Sequence, residues 1–351
     1  MLRGAIVAGC MLLAGAAAAQ DVDYSLDATA AFYGDNTEFF NPFRDGETII
    51  GAHALVFGEA RTSPGLAIRA GVSANQRFGT TRAFDQIRPV IALVVGSRRS
   101  RLILGTIDTR RRAYGIGPDR SGPHAILPPL QVETFAFTRP WEAGMQWIVD
   151  TGAIKHESWV NWQRLGTTSQ RERFDAGATS RFKVHRAIAI GGDFHIVHDG
   201  GQLTDIGAVG ESIAGSAGGE IGGPAGRLER LSLEAYLLGS RNVPDRAEPS
   251  SIRSGFATFL RASAEKNRWR AHAIVYRGDD FITREGDANY LSIRLDGTSF
   301  RKLRDYQEAG LTKLFPLAKD SFLEASFRGY HVENQFEYSF RIFAVAKLHI
   351  D

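Results

Sequence analysis

The chain has 351 residues, of which 43% are hydrophobic, 23% charged and 38 are glycine, with a single cysteine. That composition excludes a disordered chain and a disulfide framework, and a net charge of only +3 lacks the basic excess of a nucleic-acid binder, so no nucleic-acid partner is expected. Seven of the 42 basic residues are lysine and the other 35 arginine, a bias toward a planar, permanently charged fork.

Residues 1–19, MLRGAIVAGCMLLAGAAAA, read as a secretory signal peptide, with one cation at Arg3, an apolar run from Ala5 to Ala16 and small residues up to a cut after Ala19. A lipoprotein signal at Val7-Ala8-Gly9-Cys10 is the competing reading, but it leaves only about five apolar residues ahead of the cysteine. Cleavage after Ala19 removes Cys10 and with it any disulfide, thiolate metal site or cysteine nucleophile.

After Gln20 no stretch reaches the roughly 18 consecutive apolar residues of a membrane helix. Period-2 alternation recurs instead, in segments of about ten residues bounded by Gly, Pro, Asp, Asn and Ser. In chain order these are Tyr24–Tyr33, Ile50–Arg61, Leu66–Asn75, Gln86–Val95, 142–150, 173–184, Arg230–Leu238, Phe256–Glu265, Trp269–Tyr276, Leu291–Asp296, Leu323–His331 and 336–350. With weaker segments the candidates number sixteen to eighteen. The last is the clearest: Phe336, Tyr338, Phe340, Ile342, Ala344, Ala346, Leu348 and Ile350 share one face, and Glu337, Ser339, Arg341, Phe343, Val345, Lys347 and His349 the other.

A soluble sandwich uses strands of about five or six residues whose apolar faces bury one another. A membrane barrel uses strands of about nine to eleven, apolar toward lipid and polar toward a lumen. The alternation over 336–350 overshoots a sandwich strand. The expected fold is all-β, a transmembrane antiparallel barrel over residues 20–351, with 16–18 strands; 14 also fits. Trp141, Trp147, Trp159, Trp162 and Trp269 suit interfacial girdles.

The signal peptide, the alternating segments and the aromatic-rich final strand together resemble Gram-negative outer-membrane β-barrels across all of residues 20–351. The resemblance implies a cell outer-membrane location, with membrane lipid and the barrel-assembly machinery as partners. In that class the last strand usually ends on an aromatic residue, whereas this chain ends Leu348-His349-Ile350-Asp351.

Alternation places Arg69, Arg88, Arg173, Arg181, Arg230, Arg261, Arg270, Arg294, Arg328 and Arg341 on the inward face, as the cost of lipid-facing arginine, about 2–4 kcal/mol at the midplane, demands. Inward acids such as Glu59, Asp175, Asp193, Glu234, Glu265 and Glu337 are nearly as many, so a charge-braced wall stands beside an arginine-lined path for an anionic solute. Arg-rich lumens of this kind resemble alginate-export barrels, which pass an acidic polysaccharide. The longest irregular stretch, Thr109 to Gln131, carries Arg110, Arg111, Arg112 and Arg120 among prolines. It is read either as an inward-folding basic gate or as a solvated extracellular loop. The Gly-rich run 206–226 lacks the Lys-Ser/Thr ending and following helix of a phosphate-binding loop.

Two histidine motifs bear on chemistry. His195 and His198 stand three apart, on opposite faces of a strand, so they form no metal pair. His156 and Ser158 stand two apart on a lipid-facing side, with Gln170 or Glu172 on the next strand to orient the imidazole. Outer-membrane phospholipases and lipid A deacylases carry a similar His-x-Ser pair. The primary expectation is a channel without chemistry, cofactor or metal; the alternatives are a lipid hydrolase using His156 and Ser158, and a structural barrel.

Overall fold

In the computed structural model, which describes residues 22–107, 122–201 and 206–351, sixteen antiparallel strands close into one barrel. The first half of the wall is β1 (Asp23–Glu38), β4 (Thr48–Ser63), β5 (Leu66–Arg77), β6 (Gln86–Gly96), β7 (Ser100–Thr106), β8 (Ala143–Asp150), β9 (Ile154–Arg164) and β10 (Glu172–His185). The second half is β11 (Ile188–Gly200), β12 (Gly210–Ala225), β13 (Leu228–Val243), β14 (Arg253–Lys266), β15 (Trp269–Asp279), β16 (Leu303–Ala318), β17 (Ser321–Val332) and β18 (Gln335–Ile350). A two-residue ribbon, β2 (Phe40–Asn41) with β3 (Arg44–Asp45), hangs in the first connection. β1 pairs β18 from Leu26↔Ile350 to Glu38↔Tyr338, so the sheet has no free edge and every wall strand finds two partners, as a hydrocarbon environment requires.

Connections of two or three residues join the strands at one end, where Asp23 and Ile350 also lie; this is the periplasmic end. In the turn between β14 and β15, Asn267 and Arg268 both take positive φ, the backbone a tight type I′ hairpin needs. The longer connections, 107–142 and 280–302 above all, leave from the other end. β7 and β8, at 7 and 8 residues, fall short of a full span of about nine, so the wall is low there and the 107–142 connection starts inside the barrel.

The predicted faces hold. Along β18, Phe336, Tyr338, Phe340, Ile342 and Leu348 are exposed to the surroundings of the barrel, while Glu337, Phe343 and Val345 are buried inside. Trp147, Trp162 and Trp269 face outward as girdle residues should, but Trp159 is buried in the lumen and Trp141 lines an inner cavity, so two of the five expected girdle tryptophans serve the interior. The segment Leu291–Asp296 is no wall strand: it belongs to the connection between β15 and β16, where it makes only an isolated bridge, Ile293↔Phe300. The Gly-rich run is mostly wall strand β12, whose small residues let β13 approach; a Cβ on Gly218 would lie 2.0 Å from the Ala235 carbonyl oxygen.

Above a cavity at the periplasmic end, described residues of two connections fill the lumen. Ile126, Leu127 and Leu130 from one connection and Phe281, Tyr290 and Leu291 from another pack with wall residues Trp159, Phe259, Tyr276 and Tyr306 in a single apolar cluster. Segment 122–142 crosses the barrel, since His124 meets β9 while Phe137 stacks on Tyr33 of β1 at 5.1 Å. The two connections are tied by backbone bonds from Val132 N to Glu285 O, 2.7 Å, and from Asp287 N to Pro128 O, 2.9 Å. The outward apolar face makes a direct prediction: Leu233→Arg on β13 should cost about 2–4 kcal/mol in urea-driven unfolding from lipid vesicles, while the inward Ser232→Arg should show a different, lumen-dependent cost.

Candidate functional site

Outward on β9 lie Ile154, His156, Ser158, Val160 and Trp162, so the His-x-Ser pair faces lipid as expected. The hydroxyl that meets the imidazole, however, belongs to the neighbouring strand: His156 Nδ1 and Ser180 Oγ of β10 are 2.8 Å apart, directly opposite in the register. Trp147 of β8 packs edge-on against the same ring, with centroids 5.2 Å apart. The expected orienting residues do not join them. Gln170 sits in the connection at the far end of β9, donating to the Leu165 carbonyl, and Glu172 begins β10 at that same end. His156 stands two residues beyond the start of β9, near the periplasmic turn 151–153.

The inward arginines are largely consumed by the wall. Arg69 pairs with Glu59 at 2.7 Å, Arg181 with Asp193 at 3.1 Å, Arg261 with Glu234 at 3.4 Å and Arg270 with Glu265 at 3.3 Å, all between adjacent strands. Arg230 pairs with Glu220 in the same way. Arg328 and Arg341 both reach Glu133 of the inward segment, at 2.9 and 3.4 Å, and Arg173 reaches Glu285 at 3.3 Å. Arg88, the third residue of β6, is on the inward face. Arg294, expected on the inward face of a strand, stands instead on the connection between β15 and β16, exposed, with its guanidinium 5.9 Å from the Phe43 ring. Arg110, Arg111, Arg112 and Arg120 lie outside the described residues, as do residues 1–19; the described remainder of that connection, 122–131, does fold inward.

At the centre of the lumen is a polar assembly that the alternation pattern did not single out. His124, fully buried, is held between Glu142 Oε2 and Glu157 Oε1, each at 2.6 Å, and stacks on Trp159 at 3.6 Å. Gly177 makes room for that indole, since a Cβ there would come within 2.4 Å of it. On the other side of Trp159, Asp175 of β10, His195 of β11 and Glu285 of the 280–302 connection bring their ligand atoms within 4.8 Å of one another. His195 and His198 do face opposite ways, His195 into this cluster and His198 outward beside Phe174. No sequence spacing could reveal a trio drawn from two strands and a loop.

His124 lies outside the strands, so its ionisation bears on how the loop docks. Burial disfavours the imidazolium, but Glu142 and Glu157 outweigh it and raise its pKa to about 10; burial in turn pushes the Glu142 carboxyl up against the pull of His124. Docking through the imidazolium is therefore complete below the unfolded value of 6.5 and is lost as pH rises through about 10. Limited proteolysis within 122–142 should accelerate over that alkaline range in the wild type, whereas His124→Ala should be cut readily already at neutral pH.

A family model described as lipid A 3'-O-deacylase-type matches residues 16–350. No curated protein matches the chain. Among solved structures, a loop-deletion form of OmpT from Vibrio cholerae is 11% identical with a TM-score of 0.56, covering 93% of this chain and 99% of that one. An anion-selective porin from Comamonas acidovorans is 11% identical with a TM-score of 0.55, covering 93% and 100%. These likenesses show a shared antiparallel β-barrel fold. The family match overturns the expectation of a barrel without chemistry, because the matched family is an enzyme family.

Proposed function

Since the chain belongs to the lipid A 3'-O-deacylase-type family, we propose that it hydrolyses an acyl ester of an outer-membrane lipid, with Ser180 as nucleophile and His156 as its base. The observation that carries this reading is the 2.8 Å contact between His156 Nδ1 and Ser180 Oγ on the lipid-facing wall. A serine hydroxyl is a weak nucleophile until a neighbouring base takes its proton. Attack by Oγ on the ester carbonyl passes the proton to the imidazole; the imidazolium then returns it to the departing alkoxide, leaving an acyl-serine. A water molecule, deprotonated by the same imidazole, releases the fatty acid and restores the hydroxyl.

Placement on the outer wall suits an acylated substrate, whose chains can lie along the exposed apolar residues Phe182 and Ile154 beside the pair. Ser158, two residues from His156 on the same face, supplies a second hydroxyl that can bond a carbonyl oxygen. Because the pair stands near the periplasmic turn, the glycerophospholipid of that leaflet is the substrate class nearest to it, and the lipid A of the family description is the second to be tried. Purified barrel in detergent, given lipid A and a diacyl glycerophospholipid separately, should release fatty acid from at least one. Ser180→Ala and His156→Ala should each lower that rate by about 10²–10⁴-fold, with Ser158→Ala retaining most of it. Release from neither lipid, or full activity in Ser180→Ala, contradicts the reading.

A second reading, passage of an anionic solute, is favoured by a cavity of about 620 Å³ at the periplasmic end, lined by Arg61, Arg69, Arg98, Arg101 and Lys347 against Asp27 and Glu59. The Comamonas neighbour described as anion-selective shares the fold. The apolar cluster above this cavity leaves an acidic polysaccharide no clear path through the described residues, so the reading reaches no further than small anions. In planar bilayers, neutralising Arg61 and Arg69 together should move the zero-current potential toward cation preference; absence of any conductance removes this reading.

A further inference from the structure

We propose that Asp175, His195 and Glu285 form a binding site for a divalent first-row transition ion of the Zn²⁺ class inside the lumen. His195 Nε2 lies 3.4 Å from Asp175 Oδ2 and 3.6 Å from Glu285 Oε2, and the three ligand atoms all fall within 4.8 Å of one another. A tetrahedral zinc with bonds of about 2.1 Å separates its ligand atoms by about 3.4 Å, so the trio already stands close to the spacing an ion needs.

Two further observations point to a ligand. His195 Nε2 and Glu285 Oε2, in residues each 2% exposed, make no hydrogen bond of normal geometry and meet only across the ion-pair distances just given. Leaving such atoms unpaired is costly, and a shared ion would satisfy both at once. The remaining carboxylate positions are held from outside. Asn161 and Gln163 donate to Asp175 Oδ1 at 2.7 and 2.8 Å, and Trp159 donates to Oδ2 at 2.9 Å. Arg139, Gln163 and Arg173 all converge on Glu285 Oε1, at 2.6, 3.0 and 3.3 Å, which turns Oε2 toward His195. Outer partners of this kind orient ligands and tune affinity.

The donor set selects the ion. Calcium takes six to eight oxygens, and here an imidazole nitrogen and two carboxylates are offered, a set suited to zinc and its neighbours. Arg139 and Arg173 oppose a cation, but Asp175, Glu285, Glu142 and Glu157 together outnumber those two guanidiniums and the His124 imidazolium. The ion would fasten the 280–302 connection, and through its backbone bonds the 122–142 segment, to β10 and β11. This site stands apart from the His156 and Ser180 pair and does not rest on the hydrolase reading.

The refolded full barrel, stripped with EDTA, is titrated with Co²⁺ as a spectroscopic stand-in. One Co²⁺ per chain with the intense visible absorption of a low-coordinate site, displaced by equimolar Zn²⁺, is the expected result. Asn161→Ala should weaken binding by about 10–100-fold by releasing Asp175. His195→Ala and Glu285→Gln should abolish the spectrum while retaining the heat-modifiable gel mobility of a folded barrel. If either fails to refold, protection of the wild-type imidazole from chemical modification by Zn²⁺ decides the question. No Co²⁺ spectrum in folded wild type, or unchanged affinity in a folded His195→Ala barrel, overturns the site.

Discussion

A closed sheet in hydrocarbon has to show lipid its apolar side chains, and this inverts the usual arrangement of a folded chain. Here the wall turns most of its leucines and many of its aromatics outward, so a conventional core can form only in the lumen. The connections 122–142 and 280–302 supply that core. Each buried side chain among Ile126, Leu127, Leu130, Phe281, Tyr290 and Leu291 contributes about 1.5–3 kcal/mol relative to exposure in a watery lumen. Every polar feature of the interior is fitted around this packing.

Charge then has two separate duties. Between strands, Arg–Glu and Arg–Asp pairs such as Arg69 with Glu59 and Arg181 with Asp193 neutralise the inward face locally. Across the lumen, Glu133, His124 and Glu285 carry the inward connections to the wall by charge-assisted bonds. Arginine suits both duties because its fork can hold two partners at once, as Arg341 holds Asp35 and Glu133. Among the described residues the excess of arginine is thus explained mainly by bracing and docking, while at the periplasmic cavity several cations face open space together.

The wall was legible in the sequence because lipid and lumen impose opposite demands on alternate residues; β10 shows the alternation from Arg173 to Val184 and β18 from Phe336 to Ile342. Legibility failed where that contrast vanishes. Leu291 and Ile293 alternate with polar residues because they dip into the lumen core, not because they face lipid. Trp159 looked like a girdle residue since both environments welcome an indole. The candidate site was half legible. The face of His156 followed from period two, but its partner Ser180 depended on the register between β9 and β10, which no single strand encodes. Asp175, His195 and Glu285 were beyond reach for the same reason, their meeting being decided by how a long connection folds back.

The proposed chemistry at the outer wall needs no open path through the lumen, whose described residues are packed above the periplasmic cavity. The lumen core is the claim on which the others lean, and amide hydrogen exchange of the barrel in detergent tests it most directly. Peptides covering 127–132 and 281–292, whose amides at Leu130, Val132, Asp287 and Ser292 bond within or between the two connections, should exchange as slowly as the wall strands. Exchange there as fast as in a solvated loop such as 244–252 would contradict the account.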